Sequence, residues 1–172
     1  ASTATSYPYG SVNGFNLLAL LGGNWTGQEQ LVFGLVSYKT LGMLGILISL
    51  GLLAWFAAAS IRKGKFSLPL LCAFFLTGVF LLGHNMHERY MFPVLALLLA
   101  AFIQLRDRRL LHSFALFSGV CLINVGTVLY ATISDCYHII GEMAPIVAVF
   151  SLLTLACGGY FGWVCYDICV RG

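Results

Sequence analysis

The sequence predicts an all-α membrane protein with about five transmembrane helices and a short outer-face interfacial helix ahead of them. Three observations predict it. The 172 residues are 60% hydrophobic and only 9% charged, with a mean hydropathy of +0.92, far above what a water-soluble domain of this size keeps in solution. Apolar stretches long enough to cross a hydrocarbon core of about 30 Å recur along the chain. These stretches lack the period-two alternation of barrel strands, and in lipid only helices or closed barrels satisfy their own backbone hydrogen bonds.

Two regions follow from composition. Residues 1–38 are rich in Ser, Thr, Gly, Asn, Tyr and Trp, which predicts an outer-face loop. Its one apolar run, FNLLALL, is too short to span and reads as an interfacial helix, with Ser11 as a candidate cap and Gly22-Gly23 as its stop. Tyr7, Tyr9 and Trp25 carry amphipathic rings that favour the headgroup level.

Residues 39–172 form the helical bundle, with spans near Leu41–Ser60, Ser67–Gly83, Tyr90–Leu105, His112–Ala131 and Ala144–Ile168. Pro69, Pro93 and Pro145 each fall in the first turn of a span, where a missing amide donor costs little. The third span is short and borrows length from its flanks. Gly42, Gly45 and Gly51 in the first span, and Gly158-Gly159 in the fifth, would let neighbouring helices approach closely.

Charge sets the orientation. Arg62, Lys63, Lys65, Arg106, Arg108, Arg109 and Arg171 fall on one side of a five-span chain, and Lys39 and Arg89 on the other. The seven-residue side is the expected cytoplasm, giving a multi-pass cell-membrane protein with a cytoplasmic C-terminus. The net charge of +3 therefore speaks for orientation; the basic residues hug span ends and form no arm, so no nucleic-acid partner is expected. Asp167 is placed to pair with Arg171 four residues on. Of the six cysteines, five lie in or at the ends of spans and read as buried thiols, with only Cys136 in an outer loop. The first residues lack a Met and a signal-peptide pattern, which reads as the C-terminal part of a longer protein or a cleaved product.

The sequence concentrates its chemistry in GHNMHER, residues 83–89. Two histidines, a glutamate and an arginine sit between two apolar spans, where ionisable groups are costly and tend to mark ligand sites. Solvated loop charges that anchor helix ends are the plain alternative. No cofactor is firmly indicated, although His84, His87 and Glu88 could contribute to a divalent metal site, lacking a third firm ligand.

The stretch MHERYMFPVLALLLAAF, Met86 to Phe102, resembles the His-Glu-Arg-Tyr segment of bacterial polytopic mannosyltransferases similar to the second mannosyltransferase of GPI-anchor synthesis. SVNGFNLLALLGGNW, Ser11 to Trp25, resembles the outer loop preceding it in those proteins, and SYKTLG fits the following span entry. The likeness covers roughly residues 7–105. It implies a C-type membrane glycosyltransferase that moves a hexose, mannose by likeness, from a polyprenyl-phosphate sugar to an acceptor on the non-cytoplasmic face.

The resemblance also implies roles. Arg89 and His87 would contact the donor phosphate, as an arginine fork beside protonatable imidazoles suits phosphate oxygens and a departing leaving group. Glu88 would orient Arg89 or touch the sugar, with His84 the weakest member. Asn13, Asn16, Asn24 and Trp25 are candidates for contacts to sugar hydroxyls, though turn formation and interfacial anchoring account for them as well. Asp135, His138 and Glu142 could line the same cavity.

In the family an acidic residue of the first outer loop serves as base or positions the acceptor. No residue of this chain is assigned as catalytic, and the missing N-terminal part or a second membrane subunit would supply that carboxylate. The alternative reading is a non-catalytic membrane subunit that binds a lipid phosphate or partner helices. A channel or transporter ranks last, because the spans contain few ionisable groups and no internal duplication.

Overall fold

The computed structural model describes residues 7–135 and 137–172. Five apolar helices form an antiparallel bundle: α1 (Tyr38–Arg62), α2 (Leu68–Leu82), α3 (Phe92–Leu105), α4 (Arg108–Ile133) and α5 (Ala144–Tyr166). Helix α5 continues through a wider turn, Asp167–Arg171. The fold is that of an all-α membrane protein. Four segments, Tyr38–Arg62, Glu88–Leu105, Arg108–Ile133 and Ala144–Arg171, are long and apolar enough to cross a bilayer. The second of these includes a single 3₁₀ turn, Glu88–Met91, ahead of α3. Pro69, Pro93 and Pro145 sit in first turns as the sequence predicts.

Helix α3 has 14 residues and reaches 18 with the preceding 3₁₀ turn, whereas α2 has no such extension. Its 15 residues rise about 22 Å, short of the roughly 30 Å of hydrocarbon. It nevertheless lies at the centre, packed against α1, α3 and α5. The space beyond its C-terminus is filled by the N-terminal segment.

That segment enters the bundle. The backbone amide of Phe15 donates to Asn124 Oδ1 at 3.2 Å, and Asn124 Nδ2 donates to the carbonyl of Asn13 at 2.7 Å. Asn124 lies nine residues before the end of α4 at Ile133, about 14 Å down the helix axis. Irregular backbone is tolerated at such depth only where protein surrounds it, and Ser11 to Asn16 are all buried. Phe15 and Ala19 pack with Val128, Ala131, Ile139 and Val147 in a small core of their own.

The short helix predicted in FNLLALL is present as a wide turn, Ala19–Gly23, but it is wedged against α5 instead of lying on the membrane surface. Asn16 caps it, with its Oδ1 accepting from the Ala19 amide at 2.9 Å. Ser11, the expected cap, instead donates to the carbonyl of Gly14 at 2.7 Å and lies 3.3 Å from that of Met86. Gly22 stops the turn in the left-handed region, φ 85°, where the lack of a Cβ removes the penalty.

Small residues set the α1–α2 contact. A Cβ on Gly45 would lie 2.5 Å from Leu82 Cβ and 2.7 Å from its carbonyl oxygen, and one on Gly42 would lie 2.5 Å from the His84 amide. Gly158 faces the end of the Leu81 side chain, whereas Gly51 and Gly159 face open space. Gly45→Ala is therefore expected to destabilise by about 1–3 kcal/mol, the usual cost of overpacking. Gly51→Ala should be near neutral. Denaturation in mixed micelles measures the difference.

At the opposite end, the basic clusters meet. Arg109 bridges Asp107 and Asp167, at 2.7 Å to each, while Arg171 is 4.0 Å from Asp167. The expected Asp167–Arg171 pair thus exists, with Arg109 as the nearer partner. Lys63 donates to the carbonyl of Val170, tying α1 to the chain's last turn. The described cysteines 72, 121, 157, 165 and 169 are free thiols, and Cys136 lies outside the described residues.

Candidate functional site

The residues of GHNMHER lie where the short α2 gives way to the 3₁₀ turn leading into α3. Their backbone is held from outside. β1 (Ser11–Val12) pairs in parallel with β4 (Met86–His87), in the register Ser11 with Met86 and Val12 with His87, and the Asn85 amide donates to the carbonyl of Gly10 at 3.0 Å. The two stretches that are far apart in sequence, 11–25 and 86–102, thus form one unit at this end of the bundle.

The four ionisable side chains do not converge. Arg89 is exposed at the rim of a groove of about 580 Å³ between α2 and α3, lined by Leu76, Val79, Met86, Tyr90, Phe92 and Pro93. Among the described residues no carboxylate pairs with it. Glu88 turns the other way. One of its carboxylate oxygens is buried without a hydrogen-bond partner, beside a cavity of about 10 Å³ that Asn124 and Thr154 also line. From consecutive positions of a tight helical turn, Glu88 and Arg89 thus line different spaces, and among the described residues no ion pair joins them.

His87 is only 6% exposed. Its ring lies edge-on between those of Tyr7 and Tyr90, with centroids 5.1 and 5.2 Å away. His84 is half-buried, packed over Gly42 of α1. Burial pushes both imidazoles below the ordinary value of 6.5; for His87 the Glu88 carboxylate opposes that shift and Arg89 adds to it. Burial thus disfavours the charged imidazole at both positions.

These lowered values have a consequence for stability. The unfolded chain protonates its histidines first as the pH falls, so their contribution is complete above about pH 6.5 and is lost as the pH drops through that value towards the folded values. Thermal unfolding in detergent is expected at lower temperature near pH 5.5 than near pH 7.5. His87→Gln should shrink the difference.

Asn13, Asn16 and Asn24, the candidates for contacts to sugar, are engaged within the protein. All three are buried, and their amides are taken up inside the protein. Asn16 Nδ2 donates to the carbonyls of Phe80 and Gly83 at 3.0 Å each, so it caps the C-terminus of α2 as its Oδ1 caps the following turn. Asn24 accepts from the Asn13 amide at 2.8 Å and donates to the carbonyl of Ile139 at 2.8 Å. Asn13 Nδ2 reaches the carbonyl of Tyr137 at 2.9 Å. Trp25 is half-buried; its Nε1 donates to Asn13 Oδ1 at 2.8 Å, and its ring meets those of Tyr9, Tyr137 and His138 at 5.1, 5.4 and 4.1 Å.

His138 thus joins the aromatic cluster around Trp25. Asp135 is exposed, and the side chain of Glu142 lies outside the described residues. Among the described residues no three His, Cys, Asp or Glu side chains are grouped to hold a metal ion. Sequence reasoning missed Asn124, which anchors the buried loop. A polar amide alone in an apolar span was the available signal.

No protein-family model matches the chain, and neither the curated proteins nor the solved structures contain a significant match.

Proposed function

We propose that this chain is the C-terminal part of a membrane glycosyltransferase that takes a hexose, mannose by resemblance, from a polyprenyl-phosphate donor for an acceptor on the non-cytoplasmic face. The observation that carries the reading is Arg89. A guanidinium that no carboxylate pairs among the described residues, at the rim of an apolar groove open to the membrane, suits a ligand with an anionic head and a hydrocarbon tail. The fork geometry of arginine matches phosphate oxygens, and Leu76, Val79, Phe92 and Pro93 offer the isoprenoid an apolar bed.

The two stretches that resemble the mannosyltransferases support the reading by adjacency, since β1 and β4 join them beside this groove. The seven basic residues at the opposite end favour the cytoplasm there, which supports a groove mouth on the far side of a cell membrane and a cytoplasmic C-terminus. Arg89 takes donor binding and leaving-group stabilisation; proton transfer belongs to a carboxylate supplied elsewhere. With the loop amides engaged internally, sugar contact falls to groups around Trp25.

Competition tests the headgroup claim on the complete protein. Polyprenyl phosphate without sugar should displace a radiolabelled polyprenyl-phosphate mannose. The neutral polyprenol should not displace it. Equal displacement by both would remove the phosphate from the account.

A further inference from the structure

A second feature of this end of the protein is unrelated to the groove. Residues 31–37 fold into a small hairpin in which β2 (Leu31–Val32) pairs antiparallel with β3 (Val36–Ser37). Its turn is tight, with the Leu35 amide donating to the carbonyl of Val32 at 3.0 Å. Both central residues are left-handed, Phe33 at φ 51° and Gly34 at φ 74°. Glycine adopts that conformation freely, and asparagine or aspartate are the usual residues at the first position. A phenylalanine there is disfavoured locally.

Phe33 is 82% and Leu35 81% exposed, and Leu31 and Val36 are exposed beside them. The hairpin is fixed in height, because the Tyr38 and Lys39 amides donate to the carbonyls of Gln30 and Gln28 at 3.1 and 2.9 Å, so its base is tied into the first turn of α1. Helix α1 has 25 residues, about 37 Å, so with Arg62 and Lys63 beyond one edge of a roughly 30 Å core its first turn stands within a few ångströms of the other edge. Met43, Leu44, Leu47 and Ile48 continue the exposed apolar surface down that helix.

We infer that Phe33 and Leu35 form a rigid finger that inserts into the boundary between headgroups and acyl chains on this face of the bilayer. Continuity with the lipid-facing side of α1 selects lipid as the occupant. The finger fixes the rotation and depth of α1 through the Tyr38 and Lys39 hydrogen bonds, as interfacial aromatic anchors do.

Quenching by brominated lipids tests this. Phe33→Trp and, separately, Leu35→Trp are made in the full chain and reconstituted into phosphatidylethanolamine–phosphatidylglycerol vesicles. The lipids carry bromine either high or low on the acyl chains, and the spectrum of the parent protein is subtracted to remove Trp25, Trp55 and Trp163. The added tryptophan is expected to emit at blue-shifted wavelength and to be quenched at least about two-fold more by shallow than by deep bromine. Emission as in water without quenching in both variants would overturn the proposal. So would a blue-shifted emission that no lipid quenches, which would mean a protein surface, such as a second copy of the chain, covers the finger. If one variant fails to fold by circular dichroism, the other decides.

Discussion

Arg89→Ala in the complete protein is expected to lower sugar transfer by about 10²- to 10³-fold, the usual effect of removing one group that stabilises developing negative charge in a reacting centre. The side chain is exposed and, among the described residues, unpaired with any carboxylate, so its removal leaves no buried charge behind. Expression and thermal unfolding should therefore stay close to those of the parent. Arg89→Lys keeps the charge but loses the planar fork, and activity between the two is expected. A drop in the alanine variant that tracked lost stability would assign Arg89 to the fold.

Asn16→Ala is the second large effect, on stability. Asn16 is fully buried, and its one amide serves three backbone groups, the carbonyls of Phe80 and Gly83 and the amide of Ala19. Each group left unsatisfied out of water costs roughly 1–3 kcal/mol. A loss of about 3 kcal/mol or more follows, with the segment 11–24 released from the bundle. Asn16→Asp separates the two caps. The carboxylate could still accept from Ala19, but it would face two carbonyl oxygens with no hydrogen to offer. If only the turn's N-cap mattered, aspartate would serve as well as asparagine; destabilisation at least as large as with alanine is expected instead, read from denaturation in mixed micelles and from protease cleavage within residues 7–37.

The helices were legible because their signals are local. Apolar runs bounded by Arg62-Lys63, Arg106-Asp107 and first-turn prolines place α1 to α5 within a few residues of their observed ends. The small residues were legible in kind only: Gly42 and Gly45 pack as expected, while nothing in the sequence distinguishes them from Gly51, which faces open space. The site was readable as a cluster and misread in its geometry. Six consecutive positions do not reveal that a 3₁₀ turn sends Glu88 inward and Arg89 outward, because that depends on where α2 stops.

The role of residues 11–25 was hidden for a related reason. Ser, Asn and Gly in a polar stretch read as an exposed loop. Here Asn13, Asn16 and Asn24 satisfy backbone groups inside the bundle, a task set by the 15-residue length of α2 and by Asn124, more than a hundred residues away in sequence. Long-range polar pairing of this sort leaves no periodic trace.

The claim beneath the functional reading is that Arg89 and the groove between α2 and α3 hold the head and tail of one lipid. Photocrosslinking tests it most directly, with a polyprenyl-phosphate mannose bearing a diazirine on an early isoprene unit and peptide mapping of the labelled complete protein. Label on Leu76, Val79, Phe92 or Pro93, lost in Arg89→Ala, is the predicted result. Label spread evenly over the lipid-facing surfaces of α1 and α4, and unchanged by the substitution, would contradict it.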